Sequence, residues 1–346
     1  MSRTETLRAL PKAELHQHLD GSVRPETAVE LAAAIGTELT LEEARRRMVG
    51  PPRCRDQAEL LSYFDLPIAL LQTADSLERV TRELIEDLAA DGVRYAEIRW
   101  APRLHLERGL SVPAVLDAVA RGVAEAALVH GPAGPRIGLI VTAMRSHPPG
   151  ANVALAEAAA GFGMPIVGFD LAGPESAWPA PPHAAAFQAA RDGGLALTSH
   201  AGEVAGAERV REVLDFGVRR IAHGVTAIGD PTLVALLRER DVTLDLCPTS
   251  NVQAGIVPDL AAHPLAALHR AGVSVTINTD DRTVTGTTLT EELDRTAEAV
   301  GLMDGELASI AVNAFRRALA PRDVVAPLLD DAVRAWEAWR GGDGIS

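Results

Sequence analysis

From Gly92 onward the chain alternates between short, continuously apolar runs and longer segments whose apolar residues recur at helical spacing. The apolar runs fall at 93–102, 136–145, 165–173, 194–203, 219–224, 242–251 and 273–281. Unbroken apolar character suits parallel strands covered on both faces. The intervening segments predict helices at 111–130, 151–161, 182–192, 206–215, 231–239, 263–271 and 288–299, with further helices over 304–340. An earlier run, AELHQHL at 13–19, ends in the turn signal Asp20-Gly21 and makes an eighth strand. Eight strands alternating with helices predict an α/β fold, a closed (β/α)8 TIM barrel. An open doubly wound sheet would share the alternation. No GxGxxG follows the first strand to support it.

The beat fails between the first strand and the second. Residues 25–90 read as mostly helical: ETAVELAAAI stops at Gly36, GPPRCRD at 50–56 is a break, AELLSYFDLPIALLQT follows, and an amphipathic segment closes on Gly92. That is too much chain for one βα connection. The expectation is one domain over 1–346, with a helical insertion at about 25–75 placed over the strand end as a lid.

Composition narrows the function. Hydrophobic residues make up 47% of the chain, enough for a large core. The formal net charge of −14 argues against a nucleic-acid partner, which needs a basic footprint, and against an anionic membrane surface. The N-terminal stretch has no apolar core of a secretion signal, and no apolar run is long enough for a transmembrane helix. Cys54 and Cys247 form no CxxC and no disulfide framework, so a reducing, cytoplasmic setting is expected.

Chemistry in such a barrel sits at the C-terminal strand ends. His16 and His18 are two apart on a strand and so share a face. Later strand ends supply His200, Glu203, His223 and the pair Asp280-Asp281, whereas strand 7 supplies only Cys-Pro-Thr-Ser-Asn. Any one of these histidines alone would suit a hydrogen-bonded structural residue. Barrel closure makes them neighbours, and three histidines with an acid fit a catalytic zinc that keeps a position for water. Of the ten histidines, His105, His130, His183, His263 and His269 lie away from strand ends and are expected on the solvated surface; His147 is ambiguous. One metal would take three of His16, His18, His200 and His223 together with Asp280. The fourth would be free for proton transfer. Ala201-Gly202 ends strand 5, so Glu203 can turn back over the site as a proton donor.

The ordered segments LPKAELHQHLDGSVRPET, GFDLAGPE, SHAGE, IAHG, CPTSN and NTDDRTV resemble the adenosine deaminase family over residues 10–285. The resemblance implies a zinc-dependent hydrolytic deamination of a 6-aminopurine nucleoside, with one Zn2+ per chain. It implies that His16, His18, His200 and Asp280 hold the zinc, that His223 stands beside the attacking water as general base and orienter, and that Glu203 serves purine N1. Asp281 would meet N7, the Gly173 backbone N–H would meet N3, and Asp20 would reach the ribose 5′-hydroxyl. Leu60, Leu61 and Phe64 would form the apolar lid.

Adenosine and 2′-deoxyadenosine are the expected substrates, with water and a small purine nucleoside as the only partners. Deaminases of adenine, of 6-aminodeoxyfutalosine or of another adenosine analogue are the rivals within the family. The segment DDRTVTGTTLTEE resembles the adenosine-acting version, and Asp20 offers a partner for a sugar hydroxyl. A nucleoside-binding or zinc-binding pseudoenzyme is the rival outside catalysis, disfavoured because every expected position is filled. The HxE…PCxxC zinc signature of polynucleotide deaminases is absent.

Overall fold

Eight parallel strands run in the order β1 to β8 and form a nearly closed barrel with helices between them. The computed structural model describes residues 2–341. The strands are β1 (Lys12–His18), β2 (Val93–Trp100), β3 (Arg136–Met144), β4 (Ile166–Ala172), β5 (Ala196–Ala201), β6 (Arg220–His223), β7 (Thr243–Leu246) and β8 (Ser274–Ile277). Each pairs with its successor in parallel register. The seam between β8 and β1 is joined just beyond the end of β8. There the His18 N–H donates to the Asp280 carbonyl at 2.7 Å and the Asp280 N–H donates to the His16 carbonyl at 3.0 Å. Closure therefore sets Asp280 beside the two histidines of β1.

Two strand ends differ from the sequence expectation. The run at 242–251 is a strand only to Leu246; Pro248–Gln253 is a short helix. Pro248 has no N–H for a ladder, but its fixed φ suits the first turn of a helix. The run at 273–281 likewise stops at Ile277. Asp280 then adopts φ of 63°, which a continuing strand does not allow.

The barrel interior is less apolar than the strands suggest. Tyr95, Glu97 and Arg99 share one face of β2 by the two-residue period, and all three are buried. The Arg220 guanidinium joins Glu97 and Asp245, and Arg99 reaches Asp170. Both arginines donate to the Leu15 carbonyl, at 2.9 Å from Arg99 and 3.0 Å from Arg220. Burying these five charges without such pairing would cost about several kcal/mol each, so the charges come as a connected set.

Between β1 and β2 lie helices Pro25–Ala34, Leu41–Met48, Gln57–Ser62, Asp65–Leu70 and Ala74–Ala90. The stretch around 50–64 rests on the ends of β7 and β8. Gly50 donates to the Val284 carbonyl at 2.9 Å, and Cys54 donates to the Gln253 carbonyl at 2.7 Å. Cys54, Leu60, Ala254 and Val284 form a small separate core there, with Tyr63, Phe64 and Ile256 against it. Both cysteines are free and buried. Among the described residues, no helix is long and apolar enough to cross a membrane.

Candidate active site

The C-terminal strand ends enclose a cavity of about 210 Å³. Its wall includes His18, Asp20, Leu60, Leu61, Phe64, Gly173, His200, Glu203, His223, Asp280 and Asp281, so most of the site residues expected from the sequence meet there. His16 lies fully buried beneath them, its ring in contact with those of His18, His200 and His223. Asp20 is not part of the strand; it opens a single helical turn, Asp20–Ser22, that brings it into the wall.

The ring nitrogens of β1 and β5 converge. His18 Nε2 lies 3.3 Å from His16 Nε2 and 3.3 Å from His200 Nε2, and Asp280 Oδ1 is 2.9 Å from His16 Nε2. Ligands about 2.0–2.1 Å from one zinc stand about 2.9 Å apart at right angles and about 3.3–3.4 Å apart at the tetrahedral angle, so the spacings of this donor set suit one such ion. Burial holds His16 well below its ordinary pKa and His18 down to about 3, which keeps their rings neutral. Burial alone would raise Asp280, but the neighbouring His16 and His223 hold its carboxyl well below the carboxylate range. Neutral imidazoles and an ionised carboxylate are the ligand forms of a divalent metal. His16, His18, His200 and Asp280 thus fit a metal ion.

Second contacts set the orientation of these groups. Asp170, fully buried on β4, takes the His200 ring Nδ1–H at 2.9 Å and also the His200 backbone N–H at 3.2 Å. A carboxylate only accepts, so the His200 proton is on Nδ1 and its Nε2 lone pair faces the cluster. Burial would raise Asp170, but His200 and Arg99 beside it keep it well below the usual range. Ser250 donates to Asp280 Oδ2 at 2.7 Å, and Asn251 donates to His223 Nδ1 at 3.2 Å, both from the short helix after β7. Strand 7 therefore contributes more than the sequence reading gave it.

The acids facing the cavity differ from ordinary carboxylates. Burial, then the charge of Asp280, pushes Glu203 up to about 8. Burial and the same Asp280 charge push Asp281 well above the ordinary carboxylate range. Burial raises Asp20 to about 6. Glu203 Oε1 is 3.9 Å from His223 Nε2, and Glu203 Oε2 receives the Gln57 amide at 2.7 Å. Glu175, buried beneath that loop, accepts the N–H groups of Gly202, Val204 and Ala205, which fixes the turn that carries Glu203 back over the cavity.

Local backbone serves the same end. Among the described residues, three non-glycine positions have positive φ, and two of them are His223 and Asp280. Strain of about 1–3 kcal/mol at such positions persists where the surroundings over-determine them. A Cβ at Gly21 would overlap the Asp281 carboxylate, so only glycine leaves room for that acid. Gly173, at φ of 107°, turns the end of β4 at the cavity wall.

The sequence expectation for the remaining histidines needs correction. His105, His183 and His263 are buried, not solvated. His105 bonds the Leu71 carbonyl, His183 bonds the Arg145 carbonyl and Asn152, and His263 bonds Asn251. The helices above them exclude water, a consequence of packing that local sequence does not carry. His130, His147 and His269 are partly exposed, and none of the three lines the cavity. Gln57, Asp170, Glu175 and Asn251 escaped the sequence reading. Asp170 and Glu175 stand inside GFDLAGPE and Asn251 ends CPTSN, so motif membership was their available signal.

A sequence model of the family described as adenosine deaminase matches residues 11–335. An adenosine deaminase of Mycobacterium sp. (strain JLS) is 38% identical over 95% of this chain and 96% of its own length. Adenine deaminase from Arthrobacter aurescens superposes with a TM-score of 0.87 at 31% identity, covering 94% of this chain and 99% of that one. The apo N6-methyl-AMP deaminase of Arabidopsis thaliana gives 0.85 at 27% identity, covering 96% and 99%. An amidohydrolase from Burkhoderia ambifaria, solved with bound Zn, gives 0.86 at 26% identity, covering 98% and 96%.

Proposed function

This chain belongs to the adenosine deaminase family and is a hydrolytic deaminase; from that premise we propose that it converts adenosine and 2′-deoxyadenosine to inosine and 2′-deoxyinosine with release of ammonia. The observation that carries the reading is one cavity holding a metal-fitting cluster and two carboxyls, Glu203 and Asp281, that burial raises above the ordinary carboxylate range.

His16, His18, His200 and Asp280 would hold one zinc, a reading supported by their spacing and by the zinc-bound neighbour. A bound zinc supplies the Lewis acidity that makes water a competent nucleophile near neutral pH. Attack at C6 pushes charge onto purine N1. Glu203, still protonated at neutral pH, gives its proton to N1 and so removes that charge as it forms. His223 flanks the attacking water and orients it. The Asp281 carboxyl, protonated, donates to N7, which only accepts. The Gly173 N–H serves N3. One proton of the attacking water leaves with the amine as ammonia, and the other restores Glu203.

Asp20 serves the 5′-hydroxyl of the sugar. Among the described residues, none lining the cavity is Lys or Arg, so a 5′-phosphate would meet acids and no cation there. That favours a nucleoside over a nucleotide. Leu60, Leu61 and Phe64 cover the base as an apolar lid, part of a helical insertion at about 25–75 within a single domain of residues 1–346. Two unpaired buried thiols suit a reducing, cytoplasmic setting.

The adenine deaminase neighbour keeps the free base as a second reading. Steady-state kinetics on zinc-loaded protein with adenosine, 2′-deoxyadenosine, adenine and 6-aminodeoxyfutalosine separates them. The nucleosides are expected to give the highest kcat/KM. A markedly higher value for adenine or 6-aminodeoxyfutalosine overturns the assignment.

A further inference from the structure

Behind His223 runs a chain of buried hydrogen bonds that ends on a group with no choice of direction. The Leu265 backbone N–H points at His263 Nδ1 at 3.2 Å. A backbone N–H only donates, so His263 Nδ1 is an acceptor and the proton of the neutral ring is on Nε2. His263 Nε2 lies 3.1 Å from Asn251 Oδ1 and donates to it. That fixes the Asn251 amide, whose NH2 then faces His223 Nδ1 at 3.2 Å. His223 Nδ1 must accept, and its own proton is left on Nε2. His263, Asn251 and His223 are all buried, so no water competes for these positions.

We propose that Asn251 and His263 are positioning residues that lock His223 in the tautomer with Nε2 protonated, so that His223 meets the attacking water as a hydrogen-bond donor. This rests on the function proposed above and sharpens one role within it. A general base at this place would need a bare Nε2, and the relay supplies the opposite. The surroundings of that nitrogen agree. His223 Nε2 faces the carboxylate oxygen Asp280 Oδ2 at 3.8 Å and the carboxyl oxygen Glu203 Oε1 at 3.9 Å, neither at direct hydrogen-bond distance. Once the attacking oxygen has lost a proton, a donor there would bind a lone pair used neither for the metal nor for C6, and so orient that oxygen toward C6. It also stabilises negative charge as that oxygen gains it. His223 itself has left-handed backbone, φ of 64°, a conformation that persists where the surroundings over-determine it. His263 lies between the turn Leu260–Ala262 and the helix Leu265–Arg270, away from any strand end, which is why its place in the sequence suggested the surface.

The test reads the tautomer directly. Zinc-loaded protein labelled with 15N in histidine gives two-bond nitrogen–proton spectra in which each neutral ring declares its protonated nitrogen; comparison with His223→Gln assigns the His223 signals. Wild-type His223 is expected with its proton on Nε2. A proton on Nδ1 overturns the proposal, with no variant needed. Asn251→Asp replaces the donor at Nδ1 with an acceptor. It is expected to move the His223 proton to Nδ1 and to lower kcat by about a hundredfold or more, with KM changed far less, as when a catalytic His is held in the wrong tautomer. His263→Gln keeps a donor to Asn251 Oδ1 and is expected to restore the wild-type tautomer and kcat to within about threefold, which His263→Ala does not. A folded Asn251→Asp protein with wild-type tautomer and kcat overturns the proposal. A wild type that turns over no 6-aminopurine defeats the proposed function instead, and leaves the spectrum to decide the relay.

Discussion

The Gln57 amide donates to Glu203 Oε2 at 2.7 Å, so a helix of the segment between β1 and β2 touches the acid proposed to serve the substrate ring. Around Gln57, the neighbouring wall positions from that segment are the apolar Leu60, Leu61, Phe64 and Ile68. The amide is therefore the polar link between cover and catalyst, and it leaves Oε1 as the carboxyl oxygen that carries the proton.

Gln57→Leu removes that donor while keeping an apolar wall. One lost hydrogen bond at about 1 kcal/mol corresponds to about fivefold. Steady-state kinetics should show kcat/KM for adenosine reduced by that order with the fold intact. An unchanged value would show that the contact does not orient the acid.

Activity should fall on the alkaline side. Glu203, the proposed proton donor, is raised to about 8 by burial and by Asp280. It is mostly protonated at pH 7 and loses its proton as pH rises through 8, so kcat/KM should drop about tenfold per further pH unit. Glu203→Gln, with zinc content verified, should abolish that limb and cost about 10²- to 10⁴-fold in kcat.

Asp170→Asn should weaken the metal site without changing a ligand. The carboxylate holds both the ring and the backbone of His200. Loss of such a partner costs about 10- to 100-fold in metal affinity. Chelator competition on the folded variant measures it, and an affinity equal to wild type would remove Asp170 from the orienting role.

Acid should destabilise the fold through His105. Burial lowers its pKa from 6.5 to about 4. The unfolded chain binds the proton more tightly between these limits, so stability is present above pH 6.5 and is lost as pH falls toward 4. The gap corresponds to at most about 3 kcal/mol. Urea unfolding at pH 7, 5.5 and 4.5 should show the loss, and His105→Gln should make the decline shallower.

The eight strands were legible because buried parallel strands are apolar throughout and helices repeat at their own period. Closure then followed from the count, and with it the meeting of His16, His18, His200 and Asp280. Strand ends were overrun at 248–251 and 278–281, where Pro248 and the left-handed Asp280 end the ladder. The buried Glu97, Arg99, Arg220 and Asp245 were not anticipated, since each charge is explained by a partner on another strand.

The sequence by itself determined the alternation of elements, the strand ends that carry the candidate chemistry and the residue types of a cluster that fits a metal. These are local properties: period, turn residues and motif spacing. The tertiary structure decided which groups hold those residues in working form. Asp170 fixes the tautomer of His200 across 30 positions, His263 and Asn251 do so for His223, and Gln57 reaches Glu203 across 146. Contacts of that range depend on the closed barrel and the helices above it, and burial by those same elements raises Glu203 and Asp281 above ordinary carboxylates.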